Sequence, residues 1–238
     1  MSEPKKSIVP PTIHRMEGEL KICDPVKTDH TRDMESWRIF KIMAELVDGF
    51  DLLRKFKLAA SIFGSARDGL DPRFYKDAEE LARRLALSNF VIITGGAGGI
   101  MQSGNHGAKQ AGGKSVGLTI TLVNKEQHNP YLTDEMSFSY FFVRRVMLAF
   151  ASEVYIFFPG GFGTLDEFFE ILTLVQTKKI KRIPIVLYGK DFWAPLIEYM
   201  RKDLLEKHKS IAEDDLDLFV VADTVDEAYE QILTSVKC

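Results

Sequence analysis

Between Pro159 and Glu167 the chain reads PGGFGTLDE. An apolar run ends at Phe158, Gly160, Gly161 and Gly163 follow with Thr164 beside them, and a helical pattern then begins. Glycines let a backbone come close to a ligand. The first turn of a helix offers unpaired N–H groups and the positive end of the dipole, which together suit a phosphate. Glu167 lies about one turn past Gly163, so its carboxylate can face whatever that phosphate anchors. There it could stabilise developing positive charge or activate a water. Asp166 and Glu170 project elsewhere on a helical wheel; Asp166 reads as an acid favoured by the dipole, and Glu170 as a solvated or i,i+4-paired residue. Upstream, Arg144 and Arg145 sit in YFFVRRVMLAF, where apolar neighbours leave the guanidiniums in need of anionic partners.

Two more strand ends carry small residues. GSAR holds Gly64 and Ser65, and TGGAGG holds Gly95, Gly96 and Gly99. Tight turns alone explain one such loop; three in register favour a bound ligand. Standard nucleotide fingerprints fail. In G-x-G-x-x-G terms, Gly96-Ala97-Gly98 ends on Met101 and Gly161-Phe162-Gly163 ends on Asp166. Gly113-Lys114-Ser115 matches the end of a phosphate loop, but Ala108 replaces its first glycine and the stretch precedes a strand. A single nucleotide with one phosphate group fits better than NAD or a nucleoside triphosphate.

The elements that must position these loops alternate in type. Short apolar strands are expected at Leu58–Gly64, Phe90–Gly96, Ser115–Ile120, Val154–Phe158, Ile183–Tyr188 and Leu218–Ala222. Helices are expected at Pro72–Ser88, Gly99–Gly112, Phe142–Ser152, Thr164–Thr177, Phe192–Lys207 and Val225–Val236. This order implies an α/β fold, a Rossmann-like doubly wound parallel sheet with helices on both faces. Ligands of such sheets sit beyond the carboxyl ends of the strands. Residues 1–57 read as a mobile tail and an N-terminal helical extension, and residues 58–238 as the nucleotide-binding catalytic domain. In Met34–Phe56, Trp37, Phe40, Met43, Leu46, Val47, Phe50, Leu53 and Phe56 form one apolar helix face, packed on the domain or on a second subunit.

Bulk properties narrow the class. The 238 residues are 45% hydrophobic and 27% charged with a net charge of −3, which points away from a general nucleic-acid or membrane-surface binder. The N-terminus lacks the apolar core of a secretory signal, and no run is long enough to span a bilayer. Two cysteines, Cys23 and Cys238, are too few for a disulfide framework, so a reducing, cytoplasmic setting is expected.

The Arg144-Arg145 pair followed by PGGFGTLDE resembles the "Lonely guy" family of cytokinin riboside 5′-monophosphate phosphoribohydrolases, often mislabelled lysine decarboxylases. Its hallmark PGGxGTxxE is matched in full, and TGGAGGIM resembles its GGxxGxM loop. The N-terminal helix and the GSAR and NPY (Asn129–Tyr131) stretches are similar to a longer-chain subgroup, in which Glu often stands where this chain has Gln102. The resemblance implies hydrolysis of the N-glycosidic bond of a nucleoside 5′-monophosphate to free base and ribose 5-phosphate, with no cofactor and no metal. It nominates Glu167 and Arg144 as catalytic, and Arg145, Glu126 and Thr173 as substrate contacts. Glu126 reads equally as a solvated loop acid, and Thr173 as a core residue. It also implies a homodimer or larger assembly.

Two alternatives stand beside the cytokinin reading. One is a general purine or pyrimidine monophosphate nucleosidase of salvage. The other is a non-hydrolytic carrier of a nucleotide or of the molybdenum cofactor. A metal is disfavoured because His106 and His128 lack a clustered ligand set. Pyridoxal-phosphate chemistry is disfavoured because no lysine stands in the glycine motifs, and Lys178 and Lys179 read as a helix C-terminus.

Overall fold

A computed structural model describes residues 36–121 and 129–236. The expected Glu126 and His128, the two cysteines and the N-terminal tail lie outside these residues. The described residues from Phe40 onward form one compact unit.

The elements follow the alternation in the sequence. They run α1 (Ser36–Leu53), β1 (Ala59–Phe63), α2 (Pro72–Leu87), β2 (Val91–Thr94), α3 (Gly99–Gln110), β3 (Ser115–Ile120) and β4 (Asp134–Phe138). They continue with α4 (Phe141–Ala149), β5 (Val154–Phe157), α5 (Phe162–Gln176), β6 (Ile185–Tyr188), α6 (Lys190–Tyr199), β7 (Val220–Ala222) and α7 (Val225–Ser235). A π-helical stretch, Met200–Lys207, prolongs α6. No helix among the described residues is long and apolar enough to cross a membrane.

All seven strands are parallel, in the order β4-β3-β2-β1-β5-β6-β7. Chain order reverses between β1 and β5, which makes their carboxyl ends the switch point where a crevice opens. Strand side chains alternate between two core layers. On β5, Tyr155 and Phe157 enter one layer, while Val154, Ile156 and, just past the strand, Phe158 enter the other. The first layer also takes residues of α4 and α5, and the second takes residues of α2, α3 and α7.

Two features differ from the sequence expectation. β4, with sequence DEMSF, was not anticipated, because it is an edge strand paired only with β3. Met136 and Phe138 pack inward while Glu135 and Ser137 face solvent, so its pattern reads as polar loop. The expected single apolar face of α1 divides: Ile42, Leu46, Leu52 and Leu53 pack on the core layer shared with α4, whereas Phe40, Met43 and Val47 are exposed.

Candidate active site

The PGGFGT turn leaves β5 and opens α5, with Gly161 as its N-cap residue. The first intrahelical bond runs from Leu165 N–H to Gly161 C=O, so the N–H groups before it carry no intrahelical bond. A Cβ on Gly161 or on Gly163 would meet nothing within 4 Å. Packing therefore does not demand glycine at either position; the space lies open above the helix terminus. The rest of α5 is anchored by Phe168, fully buried against Phe157, Trp193 and Phe219 at ring separations of 5.4–5.8 Å. Losing such a ring costs about 3–5 kcal/mol.

GSAR fits under this turn. Ser65 N–H donates to Pro159 C=O, and Ile100 N–H, at the start of α3, donates to Ser65 C=O. Gly99 has φ +62°, and a Cβ there would lie 2.2 Å from Ser65 O. The N-terminus of α3 is therefore taken up by the GSAR backbone. Of the two glycine turns that open helices, only the one at α5 faces free space. The sequence places three small-residue loops in register; in the structure the PGGFGT turn opens onto free space and the start of α3 braces GSAR.

Together these segments line a cleft of about 750 Å³. Of the residues expected at the site, Gly64, Ser65, Gly95, Arg144, Gly160, Gly161, Gly163, Thr164 and Glu167 lie on its wall. Gly96 and Gly99 shape turns behind it and do not line it. Arg145 does not line it either, because the side chain points to α5 and pairs with Asp166 and Glu170. Successive helical residues diverge by about 100°, so two adjacent arginines cannot share one face. Asp166 and Glu170 thus act as partners of Arg145. Thr173 is exposed on the face of α5 opposite the buried Thr164, Phe168 and Ile171, away from the cleft, so it is not a core residue. The cleft wall also includes Arg67, Met101, Leu148, Phe162 and Leu165, to which the sequence reading gave no role. Leu148, one turn past Arg144, was the one such residue announced by spacing.

Glu167 and Arg144 supply the charge. Glu167 Oε2 is shielded from solvent and has no hydrogen-bond partner among the described residues. Burial pushes its carboxyl up to about 7, against the pull of Arg144 and with a smaller push from Glu170. The guanidinium of Arg144 is held by two backbone carbonyls: Nε–H donates to Leu118 O at 2.6 Å and Nη2–H to Gly95 O at 3.2 Å. A carboxyl poised near neutrality beside a fixed cation is suited to proton transfer or to stabilising a cationic transition state. Among the described residues that line the cleft there is no lysine.

Cytokinin riboside 5′-monophosphate phosphoribohydrolase of Rhodococcoides fascians is 27% identical over 62% of this chain and 76% of its own length. The rice protein of the same name, LOG, is 26% identical over 73% of this chain and 71% of its own. Among solved structures, the molybdenum cofactor binding protein of Rippkaea orientalis superposes with a TM-score of 0.55 at 21% identity, over 75% of this chain and 96% of that one. At that identity the likeness shows a shared fold. The family model described as "Possible lysine decarboxylase" matches residues 101–232, more than half of the chain. The chain therefore belongs to that family, the one to which the phosphoribohydrolases named Lonely guy belong.

Proposed function

We propose that this protein hydrolyses the N-glycosidic bond of a nucleoside 5′-monophosphate, AMP or a cytokinin riboside monophosphate, to a free base and ribose 5-phosphate. The observation that carries the reading is the shielded, unbonded Glu167 Oε2 in the same cleft as the open N-terminus of α5. The 5′-phosphate would rest on the N–H groups around Gly161, Gly163 and Thr164. That anchor holds the ribose so that C1′ lies over the Glu167 carboxylate.

Cleavage of the C1′–N bond leaves positive charge on the sugar and an electron pair on the base. Glu167 stabilises the first and takes a proton from the water that adds to C1′; that proton then passes through solvent to the departing base, which leaves neutral, and Glu167 returns to its carboxylate. Arg144 stabilises the second by hydrogen bonding and charge; its guanidinium is too basic to serve as the proton donor. A carboxyl with a pKa near 7 is matched to this exchange at neutral pH. Arg145, turned onto α5, supports the site by fixing α5 against α4. We further propose that the protein works in the cytoplasm as a homodimer.

Phosphate dependence tests the cradle. AMP should lose its base while adenosine is released unchanged, and ranking AMP against isopentenyladenosine monophosphate and other monophosphates identifies the natural base. Equal turnover of AMP and adenosine would remove the phosphate anchor from the account. The second reading, a non-hydrolytic carrier, has the shared fold of the molybdenum cofactor binding protein in its favour. A carrier has no need of a carboxylate buried beside the sugar, and it would co-purify with its ligand intact.

A further inference from the structure

A polar cluster sits in the interior behind the TGGAGG turn. Thr94, Asn105 and Ser115 are fully buried, and Asn129, the first residue of NPY, nearly so. They come from β2, α3, β3 and the segment before β4. Thr94 Oγ1–H donates to Asn105 Oδ1 at 2.6 Å, and Asn129 Nδ2–H donates to the same oxygen at 2.9 Å. Asn105 Nδ2–H donates to Ser115 Oγ at 2.8 Å, and Ser115 Oγ–H donates back to the carbonyl of Asn105 at 3.3 Å. Asn129 Oδ1 accepts from Tyr131 N–H. Each side chain is thus satisfied by another, which is the condition for tolerating such groups in a core.

The cluster has one outlet toward the cleft. Gly96 N–H donates to Thr94 Oγ1 at 3.0 Å, and this N–H belongs to the same planar peptide unit as the Gly95 carbonyl. The Gly95 carbonyl accepts from Nη2–H of the Arg144 guanidinium. A Cβ on Gly95 would lie 2.3 Å from Arg144 Nη2, so this carbonyl and the guanidinium are in close register. Asn105 can orient the Thr94 hydroxyl because its own amide is locked from the other side by Ser115 and Asn129.

We propose that Thr94 and Asn105 are positioning residues: their buried hydrogen bonds fix the Gly95 carbonyl, and through it the guanidinium of Arg144, in the geometry that serves the departing base. This inference rests on the hydrolase reading for its catalytic consequence, but its structural half can be read without turnover. It gives the NPY asparagine a role as the outer lock of the same cluster.

The test compares Thr94→Val, which keeps the shape and removes the hydroxyl, with Thr94→Ser, which keeps the hydroxyl. Three quantities are read: kcat, KM for AMP, and the Arg144 Nη2–H resonance in nitrogen-15 NMR, assigned by its loss in Arg144→Lys. Thr94→Val should lower kcat about tenfold to a hundredfold, the scale of a misplacement near 1 Å. Its KM should stay within about threefold of wild type, since the phosphate cradle is untouched. The Nη2–H signal should broaden or vanish, and Thr94→Ser should restore both kcat and that signal. A filler role alone would lower the melting temperature of Thr94→Val and leave kcat and the resonance as in wild type, which would overturn the proposal. Equal losses in Thr94→Ser would also overturn it. If wild type releases no base from any monophosphate, the hydrolase reading falls. The resonance then decides this proposal alone, its loss in Thr94→Val supporting positioning and its retention refuting it.

Discussion

At the scale of single residues, the folded protein carries a carboxyl whose ionisation it resists. Glu167 ionises at about 7 in the folded chain, against a reference of 4.5. Below about pH 4.5 the group is neutral in both states. Between 4.5 and about 7 the unfolded chain ionises and the folded one does not, so folding stability falls as pH rises. Above about 7 the loss is constant. Glu167→Gln should therefore gain stability over wild type as pH climbs from 4.5 to 7 and hold a steady margin beyond; thermal melts at pH 4.5, 6 and 8 check this. A margin independent of pH would show that Glu167 titrates normally. If Glu167 works as the carboxylate, kcat/KM should also rise through an apparent pKa near 7 in the free enzyme.

Gly161 gives a second prediction. A methyl there meets nothing in the protein, so Gly161→Ala should melt within about a degree of wild type. It should nevertheless raise the KM for AMP about tenfold, the loss of roughly one charge-assisted hydrogen bond. An unchanged KM would move the phosphate elsewhere. Glu167 and the PGGFGT turn were legible in the sequence because both lie within one helical turn, where spacing alone sets direction. Arg145 was not. Which of two adjacent arginines faces the cleft depends on Asp166 and Glu170, which belong to another helix. Thr173 failed for a similar reason: its direction follows from the buried stripe of Thr164, Phe168 and Ile171, a tertiary property.

Among elements, α4 carries Arg144 and is braced by α1. Glu45 Oε1 accepts from Ser139 N–H just ahead of α4, and Phe50 lies 6.2 Å from Phe150. Gly49 is buried so closely that a Cβ would fall 2.5 Å from Met147 Sδ. Met147 is itself fully buried. Gly49→Val should therefore force α1 and α4 apart. Overpacking of this kind costs about 1–3 kcal/mol, roughly a few degrees of melting temperature per kcal/mol or less in a domain of this size. Calorimetry checks it, and an unchanged melting point would mean that α1 does not brace α4. The helical period of α1 was readable from the sequence, but its partition into a packed and an exposed stripe was not. Apolar residues occur on both sides, and only the docked helix shows which side the core takes. β4 was unreadable because an edge strand needs only one apolar face.

The whole molecule shows why the cleft lies where it does. Strand order reverses between β1 and β5, and the GSAR and PGGFGT turns leave those two strands side by side. The alternation of strands and helices made this sheet legible, because buried parallel strands are apolar on both faces. The assembly is a different matter. Phe40, Met43 and Val47 on α1, Phe141 and Phe142 on α4, Phe150 just past it, and Phe162 on α5 are all exposed in the single chain. That much exposed apolar side chain is expected to be covered by a second copy. Sedimentation velocity should give a dimer for wild type and a monomer for Phe142→Asp; a monomeric wild type with full activity would remove the dimer from the account.

The most direct measurement is the fate of AMP. Wild type incubated with AMP should yield free adenine and ribose 5-phosphate in equal amounts by chromatography, and Glu167→Gln, folded and still binding AMP, should yield neither above background. AMP recovered intact from wild type, bound tightly and unchanged after long incubation, would contradict the hydrolase account and leave the carrier.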